Sequence, residues 1–181
     1  MLAKTPAKIA GQKPRPSEAR PDWRIALVGM GNELNGDDAA GIEVVKKLVP
    51  VAASGRDRLL VLNAGLAPEN FTGVLRRFAP DLVILIDAAL MGEKPGTIRI
   101  LPWEETQGLS ASTHTMPPYM LARFLVEELD TSVALLGIEP ADTSLWAPLS
   151  PAVQAAVAEA ADGLAALLAL AGAPPDEAPA E

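Results

Sequence analysis

The sequence contains no cysteine and only one histidine, His114. The lack of cysteine excludes disulfides, zinc–thiolate centres and thiol nucleophiles together. Any metal ion that this chain binds must therefore be held by oxygen ligands and imidazole.

Positive charge is also scarce, because 15 lysines and arginines face 23 aspartates and glutamates, giving a net charge of −8 and a pI of about 4.7. Nucleic acid binding rests on a basic surface, so we expect no nucleic acid partner. No run approaches the roughly 20 consecutive apolar residues that span a bilayer. The start, MLAKTPAKIAGQKPRP, lacks the apolar segment of a secretory signal. We predict a cytoplasmic protein without a membrane partner.

The composition indicates one folded domain with two loose ends. A chain of 181 residues with 49% hydrophobic residues can form a single core. Residues 1–22 combine lysine and arginine with four prolines, a composition that cannot bury a core. The same prolines oppose the amphipathic helix of a transit peptide. We predict a disordered basic tail over 1–22, a domain over 23–171 and a disordered acidic tail over 172–181.

Short apolar runs alternate with helical patterns along the middle of the chain. The runs are RIALVGM, RLLVLNAG, DLVILIDAA, TIRILP and TSVALLGI, each bounded by glycine, proline or aspartate. This order predicts an α/β three-layer sandwich, with about five strands in a mostly parallel twisted sheet and helices on both faces. Only LMGEKPG joins the third run to the fourth, which is too short for a parallel crossover. The fourth strand is therefore predicted to be antiparallel, at an edge.

The loop after the first strand, GMGNELNGDDAAG, is the first candidate site. Gly29 and Gly31 begin a dinucleotide-like pattern, but Leu34 occupies the third glycine position, which disfavours a nucleotide-binding enzyme. Asp37 stands where a helix begins and is predicted to be its N-cap. Asp38 cannot share that cap, and adjacent like charges are costly unless a positive charge lies nearby. Asp38 is therefore the better ligand candidate.

Two further residues could complete a site with Asp38. Asp87 ends the apolar run LVILI and so lies at the carboxyl end of a strand, where active sites of open α/β sheets gather. His114 is a lone histidine, which is more often structural, although imidazole is a common metal ligand. Two carboxylates and one imidazole would suit a nickel or zinc ion and leave coordination positions open.

The sequence shows no recognisable pattern of a serine or aspartic protease. No G-x-S-x-G motif is present, and Ser110, Ser112 and Ser144 lie in no recognisable nucleophile context. An aspartic dyad of Asp37 and Asp38 is disfavoured because neighbouring residues in the first turn of a helix point in different directions.

The order of five motifs resembles a known family. GNELNGDDAAG, NAGLAPEN, IDAALMGEKPGTIRI, STHTMP and LLGIEPAD follow one another as in the maturation proteases of nickel–iron hydrogenases, most closely the formate-hydrogenlyase-type branch. The resemblance runs from about Arg24 to the last helical pattern. It implies a cytoplasmic endopeptidase that recognises nickel already installed in the precursor of the hydrogenase large subunit and then removes a C-terminal peptide.

The resemblance also implies a ligand set. The family's three nickel-contacting positions fall on Asp38, Asp87 and His114. The nickel would belong to the substrate, other divalent ions could occupy the same site, and the enzyme would act as a monomer. The ion would polarise the scissile carbonyl or lower the pKa of a water. The alternative is a non-catalytic module that binds nickel or docks on the hydrogenase precursor.

Overall fold

The computed structural model describes residues 23–52, 58–109 and 116–171. His114 and both predicted tails lie outside these ranges, so the predicted domain boundaries stay predictions.

The described residues form a five-stranded sheet with the strand order β2-β1-β3-β5-β4. All neighbouring pairs are parallel except β4 and β5, which are antiparallel. Both the strand count and the antiparallel edge strand predicted from the short connection are confirmed. The strands are β1 (Ile25–Met30), β2 (Leu59–Gly65), β3 (Leu82–Ala88), β4 (Ile98–Pro102) and β5 (Ser132–Ile138).

Four α-helices cover the two faces of this sheet in the described part of the chain. They are α1 (Ala40–Ala52), α2 (Thr72–Phe78), α3 (Pro118–Leu129) and α4 (Pro151–Ala171). Helices α1 and α4 pack together on one face, whereas α2 and α3 contribute to the core on the other. The predicted three-layer sandwich is confirmed.

The core explains why the central strands are almost wholly apolar. Along β1, Leu27 packs into the core under α1 and α4, and the next residue, Val28, packs into the core on the opposite face. All six residues of β1 are buried. A parallel strand covered on both sides must be apolar at every position, and β1 therefore reads as a continuous hydrophobic run.

Helix α4 is long and apolar enough, by length and composition, to cross a membrane over Pro151–Ala169. Its buried positions recur every three or four residues, and Val153, Val157 and Leu164 pack into the core beside α1. The core helix of a globular protein has the same length and composition, so this property is weak evidence for a membrane span.

Candidate functional site

The start of α1 lies directly against the carboxyl ends of β1 and β3. A Cβ added to Gly41 would be 2.6 Å from the carbonyl oxygen of Met30 and would overlap that of Ile86. Only glycine permits such a close approach of a helix to two strands. Asp38 precedes Gly41 by three residues and Asp87 follows Ile86 directly. The fold thus brings these two predicted site residues to one edge of the sheet.

Both carboxylates at this edge are withdrawn from water. Asp38 is 2% exposed and Asp87 is 6% exposed. The backbone N–H of Asn32 donates to the carbonyl oxygen of Asp38 at 3.2 Å, but neither carboxylate oxygen of Asp38 has a hydrogen-bond partner in the described structure. Buried polar atoms are rarely left without a partner, because no hydrogen bond then offsets the free energy of removing them from water. The Asp38 carboxylate is therefore suited to accept a ligand such as a metal ion.

The two carboxyl groups also influence each other electrostatically. Burial raises the pKa of Asp38, and the backbone N–H of Asn32 lowers it by a smaller amount. Burial and then the negative charge of Asp38 raise the pKa of Asp87 well above its usual range, while a hydrogen bond from the Ala88 backbone opposes the rise. Two carboxylates that repel each other in a desolvated site gain from a shared proton or a cation.

A dependence of stability on pH follows from these raised pKa values. The unfolded chain releases the protons of Asp38 and Asp87 near the ordinary value of about 3.9, whereas the folded chain holds them to higher pH. The folded state therefore binds more protons above about pH 4, and the contribution of these groups to stability falls as pH rises through the folded pKa values. Replacing both residues by asparagine should remove this contribution.

Urea unfolding of the wild type and the double variant, measured in chelator between pH 4.5 and 8, tests that expectation. Other carboxylates also make the unfolding free energy of both proteins depend on pH. The informative quantity is therefore the difference in unfolding free energy between the wild type and the double variant. This difference should grow in favour of the variant as pH rises. A difference that stays constant with pH would contradict the raised pKa values.

The role predicted for Asp37 is wrong. Asp37 lies within a 3₁₀ turn, Gly36–Ala39, that precedes α1, and Asn35 occupies the N-cap position of that turn. Its Oδ2 accepts hydrogen bonds from the backbone N–H groups of Ala141 (2.8 Å) and Asp142 (3.0 Å), and its Oδ1 accepts one from Ser150 (2.6 Å). The fully buried carboxylate of Asp37 thus fixes the connection between β5 and α4 to the segment that carries Asp38.

Glu139, which the sequence reasoning missed, is a fourth buried carboxylate near this edge, after Asp37, Asp38 and Asp87. It directly follows β5, and its Oε2 accepts hydrogen bonds from the backbone N–H groups of Met91 (2.7 Å) and Glu93 (3.2 Å). These bonds hold the connection between β3 and β4, which begins just after Asp87. An acidic residue directly after an apolar run, as in LLGIEPAD, was the available signal.

The structure therefore brings together two of the three predicted site residues. Among the described residues, no group of three or more histidine, aspartate or glutamate side chains could hold a metal ion. Leu109, the last described residue before the segment with His114, accepts a hydrogen bond at its carbonyl oxygen from the backbone N–H of Leu90. Leu90 lies three residues beyond Asp87, so Leu109 lies close to the same edge.

Sequence comparison identifies similarity to one family. The family model for hydrogenase maturation protease matches residues 42–166, a range that includes Asp87 and begins four residues after Asp38. Hydrogenase 3 maturation protease of Escherichia coli (strain K12) is 33% identical over 132 residues, which is 72% of this chain and 82% of the relative. The similarity therefore covers most of both proteins.

Solved structures show the same likeness in three dimensions. The nickel–iron hydrogenase maturation protease HycI of Thermococcus kodakarensis KOD1 superposes with a TM-score of 0.68 at 33% identity, covering 82% of this chain and 92% of that one. The hydrogenase maturating endopeptidase HybD of E. coli gives a TM-score of 0.68 at 27% identity, covering 82% and 94%. Sequence and fold comparisons thus agree over most of this chain.

Proposed function

Because this chain belongs to the hydrogenase maturation protease family, we propose that it removes a C-terminal peptide from the precursor of a nickel–iron hydrogenase large subunit. We propose further that the cut requires nickel already bound in that precursor. The observation that carries the proposal is the Asp38 carboxylate, which is buried without a hydrogen-bond partner beside Asp87, whose pKa is raised well above its usual range. The family has proteolytic members, and these two residues are the part of the site that the described structure supplies.

The chemistry of the pair fits a divalent cation. Both oxygens of Asp38 lack hydrogen-bond partners, and Asp87 adds a second carboxyl group whose ionisation Asp38 opposes. A cation would supply the missing partner and would remove the repulsion between the two charges. Two carboxylates also leave most coordination positions free for ligands from the substrate. The site therefore suits an ion that arrives within another protein, and other divalent ions could occupy it as well.

We assign His114 as the third ligand. It follows Leu109 by five residues, and a chain spans up to about 3.3 Å per residue. The hydrogen bond between Leu109 and Leu90 supports this assignment, because it places Leu109 near the edge where Asp87 lies. One neutral imidazole beside two carboxylates is a ligand set that nickel accepts.

We propose that the residues of this chain hold the metal ion of the substrate in place and keep water away from it. When bound, the nickel of the precursor would polarise the scissile carbonyl or lower the pKa of a water. Asp38 and Asp87 would hold that ion against the start of α1, where both side chains are almost completely buried. Burial and the negative charge of Asp38 raise the pKa of Asp87 well above its usual range, so Asp87 holds its proton to a higher pH than an exposed carboxyl group does. We propose that the protein acts as a cytoplasmic monomer that meets its precursor transiently.

Comparison of a nickel-loaded and a nickel-free large-subunit precursor tests this function. We expect intact mass spectrometry to show loss of a C-terminal peptide only from the loaded precursor. The variant Asp162→Asn, which changes an exposed aspartate on α4, should trim at the wild-type rate and serves as the control.

Two outcomes would overturn the proposal in different ways. Equal trimming of loaded and nickel-free precursors would show that nickel is not required. Tight binding of nickel or of the loaded precursor, with no loss of mass, would identify the chain as a docking module without catalysis.

A further inference from the structure

Three exposed apolar side chains lie on two neighbouring connections at the carboxyl edge of the sheet. Leu34 is 47% exposed, Leu145 is 62% exposed and Trp146 is 72% exposed. Leu34 belongs to the connection between β1 and α1, and the other two belong to the connection between β5 and α4. We name these three residues the apolar rim. Trp146 is the most exposed large hydrophobic residue in the described part of the chain.

The two connections are fixed to each other by backbone contacts. The backbone N–H of Trp146 donates to the carbonyl oxygen of Leu34 at 2.6 Å. Gly36 has φ +53°, and a Cβ at that position would lie 2.5 Å from the carbonyl oxygen of Asp142. The hydrogen bonds of Asp37 to the same connection add to this attachment. The rim is therefore a preorganised surface.

The backbone of Trp146 adopts a conformation that its side chain disfavours. Its φ is 65°, in the left-handed region where bulky residues are rare. Core packing does not explain this conformation, because the indole is mostly exposed. Such outliers persist where the surrounding structure imposes them, and they often mark sites that contact a ligand.

Two hydrogen bonds connect Leu34 of the rim to the backbone carbonyl of Asp38 through Asn32. The backbone N–H of Leu34 donates to Oδ1 of Asn32 at 3.0 Å, and the backbone N–H of Asn32 donates to the carbonyl oxygen of Asp38. If the proposed function holds, the polypeptide to be cut must reach Asp38 and Asp87. Leu34 of the rim lies four residues before Asp38 in the sequence and is then within reach of this substrate.

We propose that the apolar rim binds apolar side chains of the precursor's polypeptide next to the bond to be cut, and that it thereby helps to select the precursor. This inference rests on the proposed function and adds the recognition surface. Lys46 on α1 is paired with Glu33, the neighbour of Leu34, at 2.5 Å, so this basic side chain does not favour an acidic peptide there. Exposed tryptophan and leucine instead favour a partner that buries them, and tryptophan is frequent among residues that dominate binding energy.

The variant Trp146→Gly separates recognition from folding. Glycine accepts the left-handed backbone freely, so the unfolding midpoint should stay at or above the wild-type value. KM for the nickel-loaded precursor should rise by about 10- to 30-fold, while kcat at saturating precursor should change by less than about threefold. Leu34→Ser should raise KM in the same direction. The matched control is Leu167→Ser on α4, which is also 47% exposed and should leave KM unchanged.

Each other outcome counts against the inference in its own way. If the wild type trims the loaded precursor but Trp146→Gly and Leu34→Ser keep the wild-type KM, the rim does not bind substrate, and the proposed function stands. If the wild type does not trim at all, the proposed function fails and the rim proposal fails with it. A wild-type dimer in light scattering that Trp146→Gly converts to a monomer would assign the rim to a second copy of this chain instead.

Discussion

Replacing Asp87 by asparagine is expected to abolish precursor trimming while making the fold more stable. The carboxyl group of Asp87 is buried beside Asp38, and the negative charge of Asp38 raises its pKa further. Asparagine keeps the shape of the side chain but cannot ionise, so the folded protein no longer loses free energy by holding two acidic groups away from water. We expect a gain of about 1 kcal/mol in unfolding free energy at pH 7.5.

The activity of the same variant should change in the opposite direction. Loss of residues that merely support metal ligands costs about 10- to 100-fold, so loss of a direct ligand should slow trimming by more than about 100-fold. Single-turnover trimming of the nickel-loaded precursor and urea unfolding measure the two effects on one preparation. Asp162→Asn removes an exposed negative charge and should change neither quantity. Trimming by Asp87→Asn within threefold of the wild-type rate would contradict a ligand role for Asp87. A lower free energy of unfolding than that of the wild type would contradict the cost of burying this carboxyl group beside Asp38.

The second large effect concerns a glycine within a helix. In an exposed helix interior, Gly→Ala usually stabilises a protein, because alanine has the higher helix propensity. At Gly41 we expect the opposite sign, since an added Cβ would overlap the carbonyl oxygen of Ile86 and crowd that of Met30. Backbone atoms cannot rotate away as a side chain can, so Gly41→Ala should destabilise the fold by about 3 kcal/mol.

Helix α4 provides the matched control for this substitution. Gly163 is exposed, and a Cβ there would meet no atom within 4 Å outside its own helix backbone. Gly163→Ala should therefore stabilise the protein by about 0.5–1 kcal/mol. Urea unfolding of both variants measures the contrast. Similar effects at the two glycines would show that α1 does not depend on a close approach to β1 and β3. Because Asp38 lies just before α1 and Asp87 follows Ile86 in β3, Gly41→Ala should also slow trimming.

The sheet was predictable because its determinants are local. The run LVILI ends at Asp87, so a strand and the position of a carboxylate at its end follow from a few adjacent residues. The antiparallel edge strand β4 followed from the length of one connection. Burial on both faces makes such strands apolar, and this pattern is visible without any knowledge of tertiary contacts.

The distinct roles of Asp37 and Asp38 were only partly predictable. The sequence indicates that two adjacent aspartates cannot share one cap, and it thereby favours Asp38 for the site. The actual partners of Asp37 are the backbone groups of Ala141, Asp142 and Ser150, more than 100 residues away in sequence. No local pattern encodes such a contact, so the sequence favours capping, a local explanation that the structure contradicts.

The apolar rim and the close approach of α1 to β1 and β3 could not be predicted from the sequence, for a related reason. Trp146 looks like an ordinary loop residue in the sequence, and its significance comes from its left-handed backbone and its hydrogen bond to Leu34. Gly41 looks like a weak point in a helix until β1 and β3 are placed beneath it. Both features depend on pairs of segments that meet only after the sheet has formed.

A double-mutant cycle tests most directly whether Asp38 and Asp87 act as one site on the nickel of the precursor. Single-turnover trimming of the loaded precursor would be followed for Asp38→Asn, Asp87→Asn and the variant with both changes. If the two carboxylates hold one ion, the double variant should trim within about threefold of the slower single variant, because the second substitution removes a partner from a site that is already broken. Losses that multiply, or a single variant that trims at the wild-type rate, would contradict a shared site.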